Sequence, residues 1–230
     1  MRQVICNNLY RSLFILLLLP APALAIPTIT CHCFTDRSYE ASRPAAADPY
    51  FLATTQNSFF AQVFNTDKKN IVMKKQQGTS PDDLWIAYWV ASKTGASPED
   101  LLQTKQKSEA WKDVIAQMGL PQKTLGTRFS SALKANSSPL HLAETVVDDL
   151  YARYRLMGEV ELAAMRQAGA SNQELIISSV IAAKIRLPAK KIYLEVKNSS
   201  KTWGSFLREA KIDTKNMQQE ITSILKLQPR

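Results

Sequence analysis

The feature that most constrains the fold of this chain is an internal repeat with a period of about 91 residues. The segment at 75–80, Lys-Gln-Gln-Gly-Thr-Ser, recurs at 166–171 as Arg-Gln-Ala-Gly-Ala-Ser. Matching pairs continue along the chain with a slowly changing offset. The offset is 90 upstream, as for Pro49 and Pro139, and 92 downstream, as for Trp111 and Trp203. In the middle it is 91, as for Leu84 and Leu175 and for Ile86 and Ile177. A register kept over several segments predicts two tandem helical units of about 87 residues, at 48–137 and 138–230.

Both units carry the sequence signals of successive helices. Side chains that favour the N-cap position precede a proline or a nearby acidic residue at five places: Asp48, Ser80, Ser97, Ser138 and Ser171. Gly78 and Gly169 stand where a glycine ends the helix before it. The runs at 84–91 and 175–183 are apolar on nearly every face, which is typical of a helix in the middle of a bundle. A buried strand is the alternative for so short a run, but the capping signals favour helix, and the predicted fold class is all-α.

The first 25 residues have the organisation of a cleavable signal peptide. Arg2 and Arg11 flank a polar start, a seven-residue apolar run follows at 13–19, and the small residues Ala23 and Ala25 fit a signal peptidase site. The run is shorter than the roughly 20 residues that cross a bilayer, which disfavours the alternative of an uncleaved anchor. The sequence therefore predicts export, to the periplasm, of a mature chain without a membrane span.

Charge limits the classes of partner. The full chain has a formal net charge of +9, and removal of the two arginines in residues 1–25 leaves +7. A basic protein outside the cytoplasm attracts acidic proteins and anionic envelope components, such as lipid headgroups or wall polymers. Nucleic acid is not expected as a partner, because export separates the chain from it.

Cys31, His32 and Cys33, here called the Cys-His-Cys segment, are the most chemically specific group in the sequence. They belong to the stretch 26–47, which precedes the first predicted helix, and Cys6 is removed with the signal peptide. Three interpretations stay open: a structural or intermolecular disulfide, a redox-active pair, and a zinc or copper site. A redox pair more often has two residues between its cysteines, and a closed zinc site needs four ligands rather than three.

Four tryptophans are candidates for a binding site. Trp85 and Trp89 lie one helical turn apart, and Trp111 and Trp203 hold equivalent places in the two units. Close packing in the core is one interpretation of these residues, and a ligand-stacking groove between the units is the other.

The sequence contains no catalytic or cofactor motif. It lacks phosphate-binding glycine loops, a nucleophile-elbow serine and the haem attachment pattern, so no cofactor is expected. His141 aligns with Phe51 of the first unit, and we expect it at a half-buried position on a helix face. We predict a binding or structural module rather than an enzyme, with thiol redox or metal chemistry in the Cys-His-Cys segment as the alternative.

The stretches 98–102 and 108–120 resemble a motif of uncharacterised exported bacterial helical proteins. In that motif a proline-capped helix, here Pro-Glu-Asp-Leu-Leu, is followed by a turn and by a second helix that begins at a tryptophan, here Trp111. The resemblance implies a helical fold and no particular activity. The second unit departs from the motif at 187–191, where lysines replace acidic residues, and this argues against one binding role shared by both units.

We expect the full-length protein, tagged at its C-terminus and expressed in a Gram-negative host, to be recovered from the periplasm without residues 1–25. The apolar run at 13–19 is too short to remain in the membrane as an anchor. N-terminal sequencing of the purified product locates the cleavage site. A cytoplasmic product that begins at Met1 would contradict the predicted export.

Overall fold

The computed structural model of the chain describes residues 34–226, so the predicted signal peptide and the Cys-His-Cys segment lie outside the described residues. The described residues form twelve α-helices, two short 3₁₀ helices and no strand, which confirms the predicted all-α class. The helices of the first half are α1 (Asp48–Val63), α2 (Lys68–Gln76), α3 (Pro81–Thr94), α4 (Pro98–Gln106), α5 (Trp111–Gln117) and α6 (Thr127–Lys134). Those of the second half are α7 (Pro139–Tyr154), α8 (Glu159–Gln167), α9 (Asn172–Ile185), α10 (Ala189–Lys197), α11 (Trp203–Glu209) and α12 (Met217–Lys226). None of these twelve helices is both long enough and apolar enough to cross a membrane.

The first five helices of each half have the same order and the same lengths. α1 and α7 have 16 residues, α2 and α8 have 9, α3 and α9 have 14, α4 and α10 have 9, and α5 and α11 have 7. The bounds of α1 and α7 differ by 91 positions, whereas Pro49 and Pro139 indicate an offset of 90 for this helix.

Capping side chains begin several helices as the sequence indicates. Four serine hydroxyls each accept a hydrogen bond from a backbone N–H in the first turn of the helix that follows: Ser80, Ser97, Ser138 and Ser171. At Ser171 the bonding is reciprocal, because the Glu174 carboxylate accepts from the Ser171 backbone N–H at 2.8 Å. Gly78 and Gly169 follow α2 and α8 with φ of +92° and +85°, a conformation that favours glycine.

Asp48 does not cap its own helix, and that prediction is wrong. Asp48 is the first residue of α1, and the N-cap residue Ala47 provides no side-chain hydrogen bond. The Asp48 carboxylate instead accepts hydrogen bonds from the backbone N–H groups of Trp203 at 3.1 Å and Gly204 at 2.9 Å, where α11 begins. Burial raises the pKa of Asp48, and the two N–H donors oppose that rise. α11 has its own N-cap residue, Thr202, and a residue of the first half adds two further hydrogen bonds to the start of this helix.

The first helix of each half packs mainly against the other half. α1 lies against α9, α11 and α12, and α7 lies against α3 and α6. Side chains of the second half hold α1 in place, because Gln173 Nε2 donates to Gln56 Oε1 at 3.0 Å and Thr222 accepts a hydrogen bond from Gln62. The two halves are therefore interlocked by an exchange of their first helices.

The exchange of helices produces one continuous hydrophobic core. Ile86 in α3 and Ile177 in α9 are both fully buried, and the apolar runs that contain them are helical, as predicted. Phe59 of α1 connects the halves, since its ring centroid lies 6.3 Å from that of Trp85 and 6.2 Å from that of Tyr151. The buried apolar residues of both halves belong to a single cluster.

The exchange predicts that neither half is stable alone. Separate expression of 26–137 and 138–230 removes the surface on which α1 or α7 buries its apolar residues, and such burial is the main source of helix stability in proteins. We expect each fragment alone to melt without cooperativity when followed by circular dichroism, and an equimolar mixture to regain helical signal and a sharp transition. A fragment that unfolds cooperatively as a monomer would contradict the interlocked arrangement.

Candidate binding groove

The structure places the four candidate tryptophans in the core, each between 1% and 3% exposed: Trp85, Trp89, Trp111 and Trp203. The indole N–H of Trp89 donates to the Leu125 carbonyl at 2.9 Å. The indole N–H of Trp111 donates to Asp83 at 2.7 Å. The four indoles therefore pack as core residues, and ligand stacking on them stays a prediction.

His141 is more exposed than the sequence indicates. Its side chain is 58% exposed on α7, and its Nδ1 lies 3.3 Å from Oε2 of Glu144. The expectation of a half-buried position is therefore wrong. The alignment of the two halves does not explain the difference, because the counterpart of His141 is buried at an offset of 90 (Phe51) and half-buried at an offset of 91 (Tyr50).

An open groove of about 480 Å³ lies in the first half, where α2 and α4 stand apart. Lys74 of α2 and Glu99 of α4 line it and form an ion pair at 2.9 Å that joins the two helices. The other lining residues are neutral and come from the end of α1, from α2, from α3 and from the start of α4: Phe64, Asn65, Thr66, Asn70, Met73, Gln77, Tyr88, Ala91, Ser92 and Pro98. The lining thus combines amide and hydroxyl groups with aromatic and aliphatic surface.

Aromatic packing supports the inner surface of the groove. The ring centroids of Phe64 and Tyr88 lie 5.8 Å apart, and both rings also contact Phe60, at 4.8 Å and 5.0 Å. Met73, in contrast, is 42% exposed at the edge of this surface. A fixed aromatic surface beside a flexible thioether is suited to apolar groups of varied shape.

In the second half the corresponding helices are bound together. The Tyr193 hydroxyl of α10 donates to the Ala168 carbonyl at the end of α8, at 2.9 Å. The Glu161 carboxylate of α8 accepts from the Lys190 backbone N–H of α10, at 3.0 Å. These hydrogen bonds hold α10 against α8.

The first half lacks the side chains that make these two contacts. At the offset of 91, Leu102 stands where Tyr193 does, so the hydroxyl is missing. Asn70 stands where Glu161 does, so a shorter neutral amide replaces the carboxylate. This difference is visible in the sequence when the two halves are compared position by position, and none of the four tryptophans lines the groove.

A buried cation lies on the other side of α2. Lys75 is 5% exposed, and its Nζ donates to Oδ1 of Asn57 on α1 at 2.7 Å. In the second half the equivalent Arg166 donates to Oδ1 of Asp148 on α7 at 2.8 Å. In each half a cation therefore ties the second helix to the first, but the partner in the first half is a neutral amide rather than a carboxylate.

The environment of Lys75 disfavours its charged form. Burial lowers the pKa of Lys75 to about 8, and the nearby Asp82 carboxylate opposes that shift. Burial also raises the pKa of Asp82, and the neighbouring carboxylates of Asp83 and Glu144 add to that rise. Lys75 does not line the groove, so we assign it a structural role. Within residues 34–226, no three His, Cys, Asp or Glu side chains are grouped closely enough to hold a metal ion.

No family model, curated protein or solved structure matches the chain. The candidate site therefore rests on the geometry and chemistry of its own residues.

Replacement of Lys75 by methionine is expected to remove a pH dependence of stability. The pKa of Lys75 is about 8 in the folded protein and 10.5, the ordinary value, in the unfolded chain. Below pH 8 Lys75 is charged in both the folded and the unfolded state, and burial of its charge destabilises the fold. Between pH 8 and pH 10.5 Lys75 is neutral in the folded protein but still charged in the unfolded chain, so this destabilisation disappears. Over this range the free energy of unfolding of the wild type should rise by up to about 3 kcal/mol relative to Lys75→Met.

Urea unfolding of both proteins at several pH values measures this difference. Lys69→Met is the matched control, because Lys69 lies on the same helix but is exposed, and its curve should run parallel to that of the wild type. Parallel curves for Lys75→Met and the wild type would show that burial does not disfavour the charge of Lys75.

Proposed function

We propose that the chain is an exported helical binding module that holds an extended peptide segment of another protein in the groove between α2 and α4. The observation that carries the proposal is the difference between the halves. In the second half, Tyr193 and Glu161 hold the equivalent helices together by hydrogen bonds, whereas in the first half the ion pair of Lys74 and Glu99 joins the helices beside a space of about 480 Å³. This volume lies within the range of roughly 300–1,000 Å³ that is usual for ligand sites.

The side chains of the groove suit an extended peptide. Three amide side chains each present a hydrogen-bond donor and an acceptor, the same pair that a peptide backbone presents: Asn65, Asn70 and Gln77. Met73 adapts to side chains of different shape, and Phe64 and Tyr88 offer aromatic faces. Backbone amides would thus meet polar partners while peptide side chains meet apolar ones.

The charges in the groove favour a neutral segment. Lys74 and Glu99 form an ion pair, and the hydrogen bond from Lys74 lowers the pKa of Glu99, which favours the carboxylate form of Glu99. The expected net charge of +7 on the mature chain acts outside the groove, where it would attract acidic surface on the protein that carries the bound segment.

Export and duplication are part of the proposal. The signal peptide at 1–25 would bring the chain to the periplasm, and its partner would then be an envelope protein or a secreted protein. Duplication of one ancestral unit accounts for the shared order and lengths of the helices. Later divergence at Leu102 and Asn70 accounts for a groove in one half alone.

Filling the groove tests the proposal. Ser92→Trp introduces an indole at an exposed residue that lines the groove. Ala183→Trp makes the same change at the equivalent exposed position of α9, which does not line the groove. Peptides selected from a random library on the immobilised mature protein supply the ligand, and calorimetric titration measures its affinity. We expect Ser92→Trp to weaken binding by at least about tenfold through steric exclusion, and Ala183→Trp to leave it unchanged.

Thermal denaturation of both variants checks that they remain folded. The peptide assignment fails if the wild type selects no peptide above background, or if the two variants lose the same affinity. An oligosaccharide array provides the second comparison, and saturable glycan binding that Ser92→Trp abolishes would replace a peptide by a glycan as the ligand.

A further inference from the structure

A second pocket lies between the segment that precedes α1 and the helix α11. It has a volume of about 280 Å³ and shares no lining residue with the groove. Residues 37–39 form one wall, and Gly204, Arg208 and the turn at 212–214 form the other. The two walls approach closely at Gly204, where a Cβ atom would lie 2.7 Å from Cδ2 of Tyr39.

Two arginines in this pocket are oriented by aromatic rings. The guanidinium carbon of Arg37 lies 6.0 Å from the centroid of the Tyr50 ring, and that of Arg208 lies 5.7 Å from the centroid of the Tyr39 ring. Arg37 Nε also donates to the Phe34 carbonyl at 3.0 Å. Neither guanidinium forms an ion pair with any of the residues that the structure describes, so their other N–H groups are available to a ligand.

The carboxylates around this pocket have other partners. Asp36 pairs with Arg43 at 2.9 Å, and Asp48 binds the backbone at the start of α11. Asp213 lines the pocket, and its Oδ1 accepts from the Lys215 backbone N–H at 2.9 Å. With two arginines and one aspartate in its lining, the pocket carries a net positive charge.

We propose that this pocket binds the phosphate group of a small phosphate ester. Guanidinium groups bind phosphate oxygens through paired N–H donors, and two of them can share one dianion. The hydroxyl groups of Ser38 and Thr214 line the same pocket and can donate to further oxygens, which a phosphate supplies and a carboxylate does not. Phe51, Leu207 and Ile212 are buried along the pocket and provide apolar surface for the organic part of the ester.

Calorimetric titration of the mature protein with inorganic phosphate and with glycerol 3-phosphate tests the site. Arg37→Met and Arg208→Met should each weaken binding of glycerol 3-phosphate by about tenfold, because each removes charge-assisted hydrogen bonds. Asp213→Asn should strengthen binding, because it removes the negative charge from the pocket. Arg153→Met is the matched control, since Arg153 is also exposed and lies 5.5 Å from the Tyr154 ring but is outside the pocket.

Vesicles distinguish the two sources of a phosphate ester. Binding to vesicles that contain phosphatidic acid, but not to pure phosphatidylcholine vesicles, together with loss of that binding in Arg208→Met, assigns the site to a lipid headgroup. Binding of glycerol 3-phosphate without vesicle binding assigns it to a soluble ester. Both results support the site.

Three results would overturn it. The first is the absence of saturable binding of every probe to the wild type. The second is an equal loss of affinity in Arg208→Met and Arg153→Met, which would indicate attraction by overall charge. The third is unchanged or weaker binding of glycerol 3-phosphate by Asp213→Asn, which would contradict an anion in the pocket. This variant decides whether the pocket binds phosphate if thermal denaturation shows that the arginine variants are unfolded.

Discussion

The burial of α1 and α7 on opposite halves is the interaction on which the rest of the structure depends. α1 completes a core that includes α9 and α12, and α7 completes one that includes α3 and α6. Phe59 of α1 joins the two regions, because its ring lies near those of Trp85 in α3 and Tyr151 in α7. With α1 fixed in this way, its C-terminal end contributes to the groove, and the segment before it contributes to the pocket against α11.

The all-α class and most helix starts could be predicted because they depend on residues close together in the chain. A serine before a helix binds an N–H two or three positions later, and Ser171 with Glu174 is the clearest case. Asp48 has the same local pattern, yet its carboxylate binds N–H groups of α11. Sequence signals cannot distinguish these outcomes, since the second depends on which helix tertiary packing brings near.

The candidate groove contains none of the four tryptophans. Burial of a tryptophan removes more apolar surface from water than burial of almost any other side chain, so the four tryptophans stabilise the core. The groove lies where the first half lacks a hydroxyl that Tyr193 provides in the second half, since Leu102 stands at the corresponding position. The matching order and lengths of the helices in the two halves make such a difference visible.

The binding of Asp48 to the first turn of α11 has a consequence for the order of folding. Its hydrogen bonds join residues 155 and 156 positions apart, so they form only after a very long loop has closed. α11 has seven residues, far fewer than the roughly 12–15 that an isolated helix needs in water. During synthesis α1 emerges long before α11 exists, and it must wait without its final partner until nearly the whole chain is made. The wall of the arginine pocket that α11 forms is therefore among the last parts of the protein to become ordered.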